Sequence, residues 1–375
     1  MGRRRTPGLI KLGEIWHIDK QIMGRRLCES TGTGNLEEAE AYLARRIEEM
    51  RQARVYGVRP ERIFRQAATR YLEDATEAGE LRSLERNAQA LRLLDPYIGH
   101  LPLNRVHMGT LEPFIRTRRK QGLRTSTIRR DLAVVRRVLN LAVRLWRDEQ
   151  GLSWLETPPL IQLPKALDAR RPYPLSREEQ GLLFPRLPSH LQPMALFKVN
   201  TGCREQEVCG LKWAWEVEVP ELKTSVFIIP GDVVKNGRDR LVVLNRVASL
   251  VIDGQRGRHP EYVFTYRKHR IARIHNSAWR HARLKAARQY AKVFGRACPE
   301  GFRNIRVHDL KHTFGRRLRA AGLSFEDRQD LLGHRSSRVT THYSAAELRN
   351  LVIAANRVCG KNSRKSPEPV MPRRA

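Results

Sequence analysis

Hydrophobic spacing divides the chain before any single residue stands out. In residues 15–31, IWHIDKQIMGRRLCEST, short apolar runs flank a basic turn, Met23-Gly24-Arg25-Arg26, and predict paired strands. Asn35 followed by Glu38 resembles a capping box, and Leu36, Leu43, Ile47 and Met50 recur at helical spacing. Residues 60–148 carry the helical period throughout. Its clearest stretch is TSTIRRDLAVVRRVLNLAVRLW, where Ile128, Leu132, Val135, Leu139, Val143 and Trp146 make a stripe to be buried. Five prolines (158, 159, 164, 172 and 174) mark residues 149–175 as an extended linker. A mixed α/β pattern then runs to about residue 355, before a polar, basic tail that reads as disordered.

The expected fold class is therefore multidomain. It comprises a β-sheet-plus-helix module (1–56), an all-α domain (57–150), a linker (151–172), a mixed α+β domain (173–356) and a tail (357–375).

Charge changes this picture. Lys and Arg number 71 against 39 Asp and Glu, giving a net charge of +32 spread along the whole length. Such a chain suits a polyanion, above all nucleic acid. Arg25 and Arg26 in the basic turn, with Arg129, Arg130, Arg136, Arg137 and Arg144 around the apolar stripe, are the candidate phosphate contacts. No apolar run approaches the ~20 residues of a membrane span, and the basic N-terminus lacks a signal-peptide core. The five cysteines fall in no CxxC pair, which points to a reducing cytoplasm and to neither disulfides nor zinc.

Three stretches carry candidate chemistry. TGCREQEVCGLKW (201–213) has a turn at Gly202, Arg204 at a helix start, and Val208 and Leu211 inward. VFIIPGDVVKNGRDRLVVL reads as two strands joined through Asn236-Gly237, with Lys235 at the tip. VHDLKHTFGRRLRAAG (307–322) reads as a helix. Leu310, Phe314 and Ala321 face a core there, and His308, Lys311, His312 and Gly315 share the opposite side. His308 and His312 stand at zinc-ligand spacing, but Asp309 occupies the place of the zincin glutamate and Lys311 would repel a cation.

These pieces, in this order, resemble the tyrosine recombinases, the phage and genomic-island integrases. That family combines a TGxRxxE helix, a hairpin lysine, HxxR, LGH and a tyrosine nine residues after that histidine. The chain supplies Arg204 with Glu207, Lys235, His308 with Lys311, Leu332-Gly333-His334, and Tyr343. It departs once, with Lys311 where the family has its second arginine. The resemblance implies that residues 173–356 are a catalytic domain, 57–150 a core-binding domain and 1–56 an arm-binding module. It also implies that Tyr343 is the nucleophile and that Lys235 is the acid for the leaving 5′-hydroxyl. Arg204, His308, Lys311 and His334 would surround the phosphate, with Glu207 orienting Arg204 and His312 buried behind. No metal and no cofactor is called for. Partners would be double-stranded DNA attachment sites, three further copies in a tetramer, and DNA-bending or excision factors, with no membrane. A type IB topoisomerase, a non-catalytic DNA-binding protein, and a metal-dependent nuclease built on His308-Asp309 remain alternatives.

Overall fold

A two-residue turn opens the first sheet. Met23 and Gly24 take positive φ, 51° and 83°, the twist that lets right-handed strands pair across a tight turn. They join β2 (Ile15–Ile22) to β3 (Arg25–Ser30), while β1 (Leu9–Leu12) pairs with the other edge of β2, all antiparallel. The helix α1 (Leu36–Tyr56) supplies Ala39, Leu43 and Met50 to a core shared with Leu9, Ile18, Ile22 and Leu27. Asn35 caps α1 by accepting from the Glu37 N–H at 2.9 Å. The expected capping box is not made. Glu38 accepts from the Thr33 hydroxyl instead, and Thr33 also takes the Asn35 N–H at 3.1 Å, so Thr33 fills the carboxylate's role.

The computed structural model describes residues 7–79, 81–234, 237–333 and 345–359. The chain divides into two compact units, Met1–Arg170 and Arg171–Ala375. In the first, α2 (Phe64–Glu77), α3 (Leu81–Leu94), α4 (Met108–Lys120) and α5 (Thr125–Arg144) enclose a second core. Ile128, Leu132, Val135 and Leu139 of α5 are buried as their spacing predicts, and all the named arginines of α5 are exposed. The proline-rich stretch differs from expectation. Leu155 and Ile161 are buried in the helical core, and Asp168 accepts the Thr125 N–H at 2.7 Å. Apolar residues on either side of Pro158-Pro159 thus fix the start of the linker to the helices it leaves.

In the second unit, β4 (Glu216–Val219), β5 (Thr224–Ile229) and β6 (Arg240–Val243) form an antiparallel sheet in that order. Its core draws on α6 (Arg177–Leu183), α7 (Gln192–Thr201), α8 (Glu205–Cys209), α9 (Arg246–Asp253), α10 (Ser277–Phe294) and α11 (Glu300–Arg303). A short hairpin, β7 (Thr265–Tyr266) with β8 (His269–Arg270), precedes α10. A further apolar cluster joins α12 (Asp309–Ala320), α13 (Phe325–Leu332) and α14 (Ala345–Arg357) through Phe314, Leu318, Leu331, Leu351 and Ala355.

The strands expected to join through Asn236-Gly237 do pair, and Lys235 and Asn236 lie outside the described residues. Ile229 pairs with Arg240, leaving residues 230–239 as the connection. Pro230 has no N–H to extend the ladder, Asp239 accepts the Gly231 N–H at 2.8 Å, and buried Val234 draws the loop inward. Val358 and Cys359 are buried, so the fold continues into the first residues assigned to the tail; residues 360–375 lie outside the described ones. Cys28, Cys203, Cys209 and Cys298 are free thiols. Among the described residues no helix is long and apolar enough to cross a membrane.

Candidate active site

Gly202 ends α7 with φ 65°, a left-handed cap that turns the chain into α8. It is glycine for a second reason, since a Cβ there would come within 2.8 Å of the Phe314 ring. The turn sets Arg204 at the N-cap of α8. The Arg204 backbone N–H donates to Glu207 Oε2 at 2.6 Å, and its Nη1 donates to Oε1 at 2.7 Å. Arg240, at the start of β6, donates from Nη1 to the same Oε2 at 2.7 Å. Burial works to raise the Glu207 carboxyl, but Arg240, the Arg204 backbone N–H and the Arg204 guanidinium outweigh it and hold it below the usual carboxylate range. Glu207 is therefore an anion under ordinary conditions, clamped between two guanidiniums.

Lys311 corrects the helical-face expectation. It stands with His308, His312 and Gly315 by spacing, yet only 6% of it is exposed. Its ammonium donates to the Leu332 carbonyl at the end of α13, where unpaired carbonyls attract a cation. Burial first, and then the charges of Arg240 and Arg204, bring the Lys311 pKa down to about 7. His308 precedes α12 at the surface and His312 follows one turn on, their rings edge to face at 5.0 Å. Loss of hydration, then Lys198, His312 and Lys311, hold His308 below the ordinary histidine range. His312 is not buried behind the site. It is half-exposed and lines, with His308, Lys311, Arg316, Arg319 and Arg328, a cavity of about 850 Å³.

Asp309 turns the other way. It is 3% exposed and accepts the backbone N–H groups of Tyr173 and Arg306 at 3.2 and 2.8 Å. A metal site on His308-Asp309 would need that carboxylate outward. Among the described residues no cluster of three His, Cys, Asp or Glu could hold a metal ion.

Arg204, Glu207, His308, Lys311 and His312 thus lie in one unit. Lys235, His334 and Tyr343 fall outside the described residues. Arg25, Arg26 and the α5 arginines belong to the other unit. Arg26 is paired with Asp19 across the sheet, with both contacts at 2.7 Å.

Two buried cations escaped the sequence reading. Lys198 of α7 is fully buried and donates to the Cys203 carbonyl, with burial bringing its pKa down to about 8. Arg240 sits at the start of a strand read only as one arm of a hairpin. Nothing local marks either one, because a cation in sequence reads as a solvated residue.

Residues 185–349 match the Phage integrase family. Over 90% of both chains, the protein is 23% identical to the integrase of Salmonella phage P22. That stretch of the chain is thus similar to the phage integrases. Its fold is similar to that of lambda integrase solved as a dimer on a COC′ core site (TM-score 0.55, 15% identity, 90% of this chain and 94% of that one). It is also similar to lambda integrase solved as a tetramer on a Holliday junction (TM-score 0.52, 13% identity, 91% and 99%). A third likeness is to the Tn1549 transposon integrase with circular intermediate DNA (TM-score 0.51, 16% identity, 76% and 98%). The matched stretch holds Arg204, Glu207, His308 and Lys311.

Proposed function

We propose that this chain is a site-specific DNA recombinase that integrates or excises a mobile element through a covalent 3′-phosphotyrosyl intermediate. The observation that carries this reading is the Arg204–Glu207–Arg240 cluster within electrostatic reach of Lys311. A phosphodiester under attack concentrates negative charge on its non-bridging oxygens, and a fixed array of donors stabilises it most. Arg204, His308 and His334 would contact those oxygens, with Lys311 exchanging the Leu332 carbonyl for one of them. The Tyr343 oxygen attacks phosphorus, and the bond to the 5′-oxygen breaks as Lys235 gives that oxygen a proton. A 5′-hydroxyl from a second duplex reverses the step, so strands exchange without a metal or other cofactor.

Residues 1–56 would bind arm sites, 57–150 core sites and 173–356 catalyse, with residues 151–172 between them. Arg25 and Arg26 would serve the first of these and the α5 arginines the second. Double-stranded attachment sites, a tetramer on synapsed DNA, and DNA-bending or excision factors complete the proposal. It places the protein in a bacterial cytoplasm, at the nucleoid.

The test is covalent trapping on a nicked duplex in EDTA. Wild type should form a protein–DNA adduct, and Tyr343→Phe should bind the same DNA and form none. An adduct that persists in the variant removes Tyr343 from its role, and cleavage that appears only with added metal removes the recombinase reading.

A further inference from the structure

We propose that Arg240 is a positioning residue for strand cleavage, fixing the Glu207 carboxylate that orients the Arg204 guanidinium. The inference rests on the recombinase reading above.

An arginine alone with a carboxylate closes a two-point fork. Here Glu207 Oε2 is taken by Arg240 Nη1 and by the Arg204 backbone N–H, at 2.7 and 2.6 Å. The Arg204 side chain meets the carboxylate through Nη1 and Oε1, at 2.7 Å. Arg240 and the Arg204 backbone N–H therefore share Oε2, and the setting of the carboxylate that Arg204 Nη1 meets depends on Arg240.

Stability does not account for the arrangement. Arg240 is 3% exposed, and its Nε and Nη2 are buried with no hydrogen-bond partner among the described residues. Buried ion pairs add little net stability, and unpartnered buried donors subtract from it. An apolar residue would fill the place at lower cost. The guanidinium also lies flat against Gly333, where a Cβ would come within 2.8 Å of Arg240 Cζ. Gly333 follows Leu332, whose carbonyl holds Lys311, and precedes His334 in sequence. One buried side chain thus meets Glu207, which holds Arg204, and Gly333, the residue after the carbonyl to which Lys311 donates.

The test uses the full-length chain with Arg240→Gln, Arg240→Lys, Glu207→Gln and the Arg240→Gln/Glu207→Gln double variant. Single-turnover cleavage of a nicked duplex, DNA affinity and thermal unfolding are measured for each. Arg240→Gln should slow cleavage by roughly tenfold or more while affinity stays near wild type, as misplacement of a catalytic group does. Arg240→Lys should recover part of the rate. The double variant should cleave no more slowly than Glu207→Gln, because Arg240 acts through that carboxylate. Wild-type cleavage in Arg240→Gln, a loss that follows DNA affinity, or multiplicative losses in the double variant would each overturn the proposal. Should Arg240→Gln not fold, wild-type cleavage in folded Arg240→Lys would overturn it. A wild-type protein that forms no adduct removes the recombinase reading itself, whatever Arg240 does.

Discussion

Two guanidiniums and a low-polarity surround oppose the charge on Lys311, and the pH dependence of cleavage should show it. With its pKa brought down to about 7 by burial and by Arg240 and Arg204, the free enzyme carries the ammonium below that pH and loses it above. A bound phosphate favours the ammonium and moves the loss upward in the complex. The apparent second-order rate of cleavage, which reports the free enzyme, should therefore fall as pH rises through about 7. Lys311→Arg should remove that falling limb, since a guanidinium stays charged throughout. Lys311→Ala should slow cleavage by about a hundredfold with DNA affinity nearly kept, the cost of losing one preorganised donor. A wild-type profile without the limb would show that Lys311 does not bear the charge. At this scale Arg204, Glu207, His308 and Lys311 were legible because their spacing matches a known pattern. Arg240 was not, because its partner Glu207 lies in another element and only the fold brings them together.

Turns decide how the elements deliver those residues, and the turn at Gly202 is the most exacting. Gly202→Ala would meet both a positive φ of 65° and a Phe314 contact of 2.8 Å. Strain and overpacking together should destabilise the C-terminal unit by about 1–3 kcal/mol, read by denaturant unfolding, and cleavage should fall because Arg204 follows two residues on. The α5 helix was legible for the opposite reason, since a long apolar stripe repeats its signal every turn. The pairing of β5 with β6 was legible, but its early end at Ile229 and Arg240 was not, because Pro230, Asp239 and buried Val234 shape the connection through contacts that spacing does not reveal. On α5, Arg130, Arg137 and Arg144 recur every seven residues along one exposed stripe. None of their side chains makes an ion pair or hydrogen bond among the described residues. Replacing all three with Ala should weaken DNA binding regardless of sequence and flatten its salt dependence by about one unit of slope per lost phosphate contact. An unaltered slope would make the stripe a solvated face.

Across the whole molecule, hydrophobic patterning showed where cores form but not how firmly the segments between them are held. The stretch after residue 149 looked like a free linker until Leu155 and Ile161 were found in the helical core. Its prolines hid that, because they break the periodicity by which buried positions are recognised. The N-terminal sheet and α1 have a core of their own, Leu9, Ile18, Ile22, Leu27, Ala39, Leu43 and Met50, separate from the core that α2–α5 enclose. Removing residues 1–56 therefore deletes a complete core and leaves the other intact, so the shortened protein should fold and unfold with a melting transition close to that of the full chain. If that module serves distant arm sites, its loss should leave cleavage of a nicked core-site duplex nearly unchanged while recombination of supercoiled attachment sites falls sharply. Most of the +32 lies beyond residue 56 and remains available to core DNA. Core-site cleavage lost from a folded, truncated protein would show that the N-terminal module acts on the catalytic step itself.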